Sequence, residues 1–447
     1  MNDSRENPET IEEPAQQLTL DEALRLAIRL HQANQFEDAE ELYGKLLAID
    51  PENPNVLHFF GLLKHQRGRS KQGIEFINRA LERVPDYLDA QNNLGNLYLE
   101  TGQPELAEKL FRQVIAAKPD FAAAYGNLGV ALKELDKFEQ AIENLTKAIE
   151  LQPDAAFHYQ NLGNVYRVLK HYPEAVAMYR KSLALVPFDP DAYRRLSRIF
   201  YVMGEIDRCV DILKQWLEFD PENPTALHML AAYSGSNAPA RASDAYVQQT
   251  FDSFAASFDG VLRRLNYQAP VLVQQALIQL QPQADCWTLL DIGCGTGLCG
   301  ELVRPLVNTL HGVDLSAKML ERAAEREVYD ALFQAELTEF LASTDHVYDA
   351  VTCVDTLCYF GDLSGVFPAA ARALKPNGWF VFTLEKHLES ETEAGFRLNR
   401  HGRYSHAESY VRSLLEAAGF RVDRIDTAVL RREGGEDVSG LVVTAQL

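Results

Sequence analysis

From Leu20 onward the hydrophobic pattern repeats every 34 residues. Each block carries two runs of apolar residues at helical spacing, as in NLGNLYLETGQPELAEKLFRQVIAAKPD, and a proline follows the second run. The prolines are Pro51, Pro85, Pro119, Pro153, Pro187 and Pro221. Small residues keep the same phase, at Ala27, Gly61, Gly95, Gly129, Gly163, Ser197 and Ala231 in the first run and at Ala39, Gly73, Ala107, Ala141, Ala175 and Cys209 in the second. The pattern predicts a helix–turn–helix unit whose two helices cross closely at the small residues, with proline ending the second. Six units fill residues 20–222 without insertion or deletion, and a seventh first helix over 224–233 caps them. From Thr288 the pattern changes to strands alternating with helices: TLLDIG, a helix from Leu298, TLHGVDLS, SAKMLERAAER, ALFQAEL, YDAVTCVDTL, VFPAAARAL, GWFVFTLE, HAESYVRSLLEAAG, RVDRIDTAVLRR and GLVVTAQL. Such alternation predicts a mainly parallel sheet covered on both faces. The last two strands, separated only by EGGEDVS, predict an antiparallel edge hairpin.

Composition adds limits. The 447 residues suit two or three domains, and an apolar share of 47% with 24% charged residues is that of an ordinary globular chain. The formal net charge of −21 argues against nucleic-acid partners and anionic membrane surfaces. No apolar run reaches bilayer-spanning length, and MNDSRENPETIEEPAQQ is polar, without the basic and apolar regions of a secretion signal. Cys209, Cys286, Cys294, Cys299, Cys353 and Cys358 show no C-x-x-C spacing and read as reduced, mostly buried thiols. The expectation is a cytoplasmic protein with a disordered tail over 1–19, a helical array over 20–233, a linker over 234–243 (SGSNAPARAS) and an α/β domain over 244–447.

The chemistry centres on LLDIGCGTG, where Gly293, Gly295 and Gly297 let the backbone approach a ligand ahead of a helix start. A dinucleotide loop, G-x-G-x-x-G/A, would need glycine or alanine where Leu298 stands. Strand–D-x-G-x-G-x-G–helix, with Asp291 as the acid, resembles the first motif of class I S-adenosylmethionine (SAM) methyltransferases. The 34-residue unit matches the tetratricopeptide (TPR) pattern. Together they resemble TPR-containing methyltransferases, which implies a TPR superhelix followed by a Rossmann-like sheet, with SAM as cofactor.

The resemblance implies roles residue by residue. Asp314, in HGVDLS and followed by Leu315, accepts the ribose hydroxyls; Met319 lies against the adenosine or packs in its helix. Glu336 accepts from the adenine amino group, and the Leu337 N–H meets the ring. Asp291 and the loop residue Cys294 belong to the glycine motif, with Asp291 orienting the loop or reaching the methionine amino group. Asp355 faces that amino group or the acceptor, or caps a turn, while Tyr359 and Phe360 line the acceptor pocket. F-D-x-x-A-x-x-F-D in the lead-in helix resembles one that covers the cofactor. Tyr246 and Phe254 are the candidates for that cover, with Phe251 and Phe258 expected to pack on the sheet. No N-P-P-Y run follows the fourth strand, which argues against amide and adenine nitrogen acceptors. After the fifth strand, His387, His401, Arg403, Tyr404 and His406 are candidates for acceptor recognition. His387, His401 and Tyr404 are the candidate catalytic groups, a histidine serving as base if the nucleophile starts protonated. HGRYSH resembles a signature of TPR-fused methyltransferases of uncertain substrate. No metal site is suggested by the Cys/His spacing.

In the array, Asn93, Asn127 and Asn161 occupy the sixth position of three successive first helices, with Asn96 and Asn164 at the ninth. The row resembles the asparagine ladder of O-linked N-acetylglucosamine transferases, where amides hold an extended peptide; the alternative is local bonding that spaces the helices. The reading is a methyltransferase whose array recruits a protein or peptide-like acceptor. Two alternatives stand beside it: a small-metabolite methyltransferase whose TPRs serve assembly, including a homo-oligomer, and a scaffold with a regulatory or inactive SAM pocket.

Overall fold

A computed structural model describes residues 18–236, 238–280, 287–344, 348–387 and 394–447. The polar N-terminal stretch 1–17 and Cys286 lie outside the described residues. The chain divides into two compact units, one ending at Arg195 and the other running from Leu196 to Leu447. No helix among the described residues is long and apolar enough to cross a membrane.

In the first unit, helices of 13 and 14 residues alternate from Leu20–Gln32 and Phe36–Ile49 to Ala156–Val168 and Tyr172–Leu185. The small-residue column has a direct steric cause. A Cβ on Gly95 would stand 2.5 Å from the Phe111 ring, one on Gly129 2.4 Å from Leu145, and one on Gly163 2.9 Å from Tyr179. Each first helix therefore meets its partner through backbone, and a large side chain 16 positions later fills the contact. The same logic operates between repeats, where His158 lies against Gly126, fully buried and without a hydrogen-bond partner among the described residues.

The second unit contains helices Ile206–Phe219 and Pro224–Ser234 and then the α/β fold. Its strands are β1 (Thr288–Ile292), β2 (Thr309–Asp314), β3 (Ala331–Gln334), β4 (Tyr348–Cys353), β5 (Leu374–Lys386), β6 (Phe396–Leu398), β7 (Tyr404–His406), β8 (Arg421–Glu433) and β9 (Glu436–Gln446). The sheet order is β3-β2-β1-β4-β5-β7-β6, with β9 also paired to β5 and to β8. Strands β1 to β5 are mutually parallel, and β8–β9 is the antiparallel hairpin. Successive residues feed opposite cores: Leu290 packs with Phe367, Phe380 and Phe382 on one face, Leu289 with Val273, Leu310 and Val381 on the other. This two-sided burial is why the strands read as continuous apolar runs. Strand order reverses between β1 and β4, which opens a crevice at their carboxyl ends.

Three local features depart from the sequence pattern. The lead-in segment forms two helices, Asp244–Phe254 and Phe258–Arg264. The stretch expected as a loop after β5 contains the β6–β7 hairpin, and His406 is on β7 rather than in a helix. Its strands of three residues are too short to show an alternation. A further helix, Ala269–Leu280, covers one sheet face.

Burial lowers His58, His158 and His406 to about 4, with a nearby Asp89 charge opposing the shift at His58. The unfolded chain protonates these rings near pH 6.5 and the folded chain only near 4. Stability from these sites is therefore complete above about pH 6.5 and lost as pH falls toward 4. Urea midpoints measured across this window should fall with pH, and a His158→Phe variant should show a shallower fall.

Candidate active site

The crevice at the carboxyl ends of β1, β2 and β4 opens into a cavity of about 430 Å³ lined by residues of the second unit alone. That volume lies in the range of small-molecule sites, about 300–1,000 Å³. Gly293, Gly295, Asp314, Leu315, Glu336, Leu337 and Asp355 line it. Gly293, Gly295 and Gly297 all take positive φ, at 68°, 55° and 86°. A Cβ on Gly293 would strike Thr356 at 2.2 Å, while one on Gly295 would meet nothing nearer than the Phe258 ring at 3.9 Å and would stand in the cavity's own space.

The loop is held by the acid of the next strand. Gly295 N–H donates to Asp314 Oδ2 and Ser316 N–H to Asp314 Oδ1, both at 2.8 Å. Burial raises the Asp314 pKa, against those backbone donors. Glu336 caps helix Leu337–Ser343, accepting from Glu339 N–H at 2.8 Å, and its other oxygen accepts from Arg241 at 3.1 Å. Both carboxylates keep lone pairs free for ligand donors.

Two F-D pairs cover the cavity by one device used twice. Phe251 and Phe258 both line it, together with Phe254 and Tyr246, and Phe251 also packs on Tyr359 at the edge of the sheet core. The aspartates beside them reach the loops that follow β1 and β2. Ser316 Oγ donates to Asp252 at 2.5 Å and Thr296 Oγ1 to Asp259 at 2.6 Å, while Arg326 pairs with Asp259.

Four of the residues expected at the cofactor are not among the cavity-lining residues. Asp291 is fully buried below the loop, where Tyr329 and Thr352 hydroxyls donate to its two oxygens at 2.8 and 2.9 Å. Burial pushes it up to about 6. Cys294 is buried with its N–H on Val313 O, Gly297 starts helix Leu298–Val303, and Met319 is core.

The far end of the cavity is a closed ionic knot. Arg431 on β8 pairs through Nη1 with Asp355 at 2.6 Å, through Nε with Glu433 at 2.7 Å, and through Nη2 with Glu385 of β5. Arg403, in the β6–β7 turn, adds contacts to Glu385 at 2.6 Å and Glu433 at 2.7 Å. Burial opposes ionisation of Glu433, but Arg403 and Arg431 outweigh it and hold the carboxyl down to about 2. Arg431, Glu385 and Glu433 escaped the sequence reading because the partners come from separate strands and nothing in the local sequence marks them as paired. A register shift at Val429/Arg431 re-aims the chain there, and alternation fails at such a bulge.

The catalytic candidates separate. His401 lines the cavity beside the knot, with Nδ1 accepting from Arg403 N–H at 3.3 Å and Nε2 3.5 Å from Glu385; burial, then Arg403, lowers its pKa. Tyr404 is fully buried and donates to Pro239 O at 2.7 Å, burial raising its pKa to about 12. His387 is buried away from the cavity wall, with neither ring nitrogen bonded among the described residues. The hairpin that presents His401 and Arg403 is itself held from helix Pro224–Ser234: His228 Nε2 lies 2.8 Å from Gly402 O, and its ring stacks on Tyr246 at 4.1 Å.

In the first unit the asparagines bond largely within the array. Asn93 Nδ2 is 2.9 Å from His58 Nε2, Asn127 donates to Asn92 at 3.1 Å, and Asn164 accepts from Tyr179 at 2.7 Å and from Arg195. All five of Asn93, Asn96, Asn127, Asn161 and Asn164 are half-buried.

An open α/β sheet with a glycine loop and an acid at the end of its second strand is a ligand-binding arrangement shared by several enzyme classes, and sequence relatives specify which. Residues 290–382 match the methyltransferase domain family; residues 53–120, 120–187 and 169–233 match tetratricopeptide-repeat families. A ubiquinone biosynthesis O-methyltransferase of Xanthomonas axonopodis pv. citri is 30% identical over 224 residues, 46% of this chain and 89% of that protein. One of Thiobacillus denitrificans is 34% identical over 110 residues, 23% of this chain and 46% of that protein, so this match spans about half of the relative's length. The biotin biosynthesis bifunctional protein BioHC of Saccharophagus degradans is 31% identical over 173 residues, 36% of this chain and 30% of that protein. Among solved structures, the pilus biogenesis factor PilW is 18% identical with a TM-score of 0.44, over 47% of this chain and 98% of that one. The chain belongs to the methyltransferases, with tetratricopeptide repeats ahead of the methyltransferase domain.

Arg431→Met would leave three carboxylates around a vacated guanidinium position. Loss of one partner from a buried ion network costs roughly 3–5 kcal/mol. Urea denaturation at pH 7 should show a loss of that order.

Proposed function

We propose that this chain is a SAM-dependent O-methyltransferase of the cytoplasm whose TPR array recruits a protein or peptide-like acceptor. The observation that carries the cofactor assignment is Asp314 at the cavity, with its two oxygens oriented by Gly295 and Ser316 N–H groups and free lone pairs left for two ribose hydroxyls. Glu336 suits an adenine amino group, and the Leu337 N–H, in a helix's first turn, has no intrahelical acceptor and suits a ring nitrogen. Gly295 leaves the room that the cofactor's sulfonium arm would take. When bound, the cofactor supplies an activated methyl group. The chain's own work is to bring acceptor and methyl into line under the Phe251, Phe254 and Phe258 cover, an orientation effect worth up to roughly 7–11 kcal/mol in well-aligned systems. The O-methyltransferase names of the relatives support oxygen as the acceptor atom.

Recruitment through the groove rests on the asparagine row and on the general use of TPR arrays as protein-binding surfaces. A second reading, a small-metabolite acceptor with the repeats serving assembly, is favoured by the bonds that Asn93, Asn127 and Asn164 already make within the array.

Methyl-labelled SAM, purified protein and a lysate of the producing cell separate these readings, with Asp314→Ala as the control. Label in a discrete protein band that disappears in an Asn93/Asn127/Asn161→Ala triple variant, with SAM binding retained, is the expected result. Label confined to small molecules, unchanged in the triple variant, would replace it with the second reading.

A further inference from the structure

The segment just before helix Asp244–Phe254 is fastened almost residue by residue to the α/β fold. Pro239 O accepts from the Tyr404 hydroxyl at 2.7 Å, and Ala240 O accepts from the Gly361 and Asp362 N–H groups at 2.8 Å each. Ala242 N–H donates to Tyr359 O at 2.8 Å, and Arg241 between them forms an antiparallel bridge with Phe360. Residues 239–242, which composition reads as part of a linker, thus run as a strap along the turn that follows β4.

The strap delivers one charged side chain to the cavity. Arg241 lines it together with Phe360, Glu336 and Leu337. Its guanidinium lies over the Phe360 ring, 5.5 Å from the centroid, and spans two carboxylates. Nη1 donates to Glu336 Oε1 at 3.1 Å and Nη2 to Asp244 Oδ2 at 3.2 Å. Among the described residues the other donor to Glu336 is Glu339 N–H, on Oε2 at 2.8 Å. Each oxygen of Glu336 therefore has one donor and keeps one further acceptor direction. The carboxylate is held from two sides, by its own helix and by a residue 95 positions away. Without Arg241 the helix bond alone would hold it, and a glutamate side chain retains enough rotamer freedom to swing about a single bond.

We infer that Arg241 is a positioning residue for recognition of the cofactor's base: by holding Glu336 Oε1 it fixes the carboxylate so that the site takes a base with an amino group and rejects one with a carbonyl oxygen. The inference rests on the SAM reading, in which Glu336 meets the adenine amino group. An amino group donates to a lone pair that Glu336 keeps. A carbonyl oxygen in the same place sets two acceptors against each other. That rejection holds only while the carboxylate cannot turn aside, because a site discriminates through polar groups that have no alternative partner. Arg241 removes the alternative. Its side chain is 38% exposed and that of Glu336 7%, so the bond is made at the cavity's edge to a carboxylate largely withdrawn from water.

The test measures binding to the full chain by calorimetry. The two ligands are S-adenosylhomocysteine, the demethylated cofactor, and S-inosylhomocysteine, in which a carbonyl oxygen replaces the amino group. Arg241→Met removes the donors at similar length and Arg241→Lys keeps the charge. Glu336→Ser removes the carboxylate and keeps a capping side chain for the helix. Thermal melting reports folding. Arg241→Met should weaken the adenine ligand about tenfold and leave the hypoxanthine ligand nearly unchanged, so the wild-type preference shrinks by the same factor. Arg241→Lys should fall between the two. In a Glu336→Ser background the Arg241→Met change should have no further effect, because Arg241 acts through that carboxylate. Unchanged adenine affinity, an equal loss for both ligands, or an undiminished loss in the Glu336→Ser background would each overturn the inference. Should Arg241→Met not fold, wild-type affinity and preference in Arg241→Lys would overturn it, and a reduced preference there would support it. A wild type that binds neither ligand overturns the SAM reading itself, and is told apart because no variant then changes anything.

Discussion

A buried guanidinium must have its charge and its donors met, or it destabilises everything packed around it. Arg431 meets that demand by drawing three carboxylates from separate parts of the chain: Asp355 from the turn after β4, Glu385 from β5 and Glu433 from the end of β8. Arg403 is tied into the same group, which fixes the β6–β7 turn beside them. The wall of the cavity opposite the glycine loop is thus set by charge balance, whereas the loop side is set by backbone. There, Asp314 fastens Gly295 and Ser316 with neutral donors. The two halves differ in kind as well as place.

The parts of this architecture legible in the sequence are those where the same physical demand recurs or is local. The 34-residue period is visible because every first helix needs a small residue against a large one, Gly95 on Phe111 and Gly129 on Leu145. The parallel sheet is visible because its strands are buried on both faces. Asp314 stands out by its distance from the glycines. What stayed hidden depends on partners far apart in the chain. Glu385 and Arg431 are 46 residues apart and meet because β9 lies between their strands, while the bulge that turns Arg431 inward leaves no mark in composition. The same blindness applies to Asp291, whose motif position suggests a ligand contact but whose oxygens are taken by Tyr329 and Thr352.

The aromatic cover shows how one sequence motif can hold two functions. In each F-D pair the ring goes into the cavity and the carboxylate goes to a loop hydroxyl, Ser316 beside Asp314 or Thr296 inside the glycine loop. Hydrophobic cover and loop position are therefore coupled through adjacent residues.

Helix Pro224–Ser234 continues the repeat by its sequence phase and yet belongs by its contacts to the catalytic unit. Through His228 it props the turn that carries His401 and Arg403, and stacks on Tyr246 of the cavity wall. Recombination that removed this helix together with the repeats would take from the second unit the partner of Gly402 and of the Tyr246 ring.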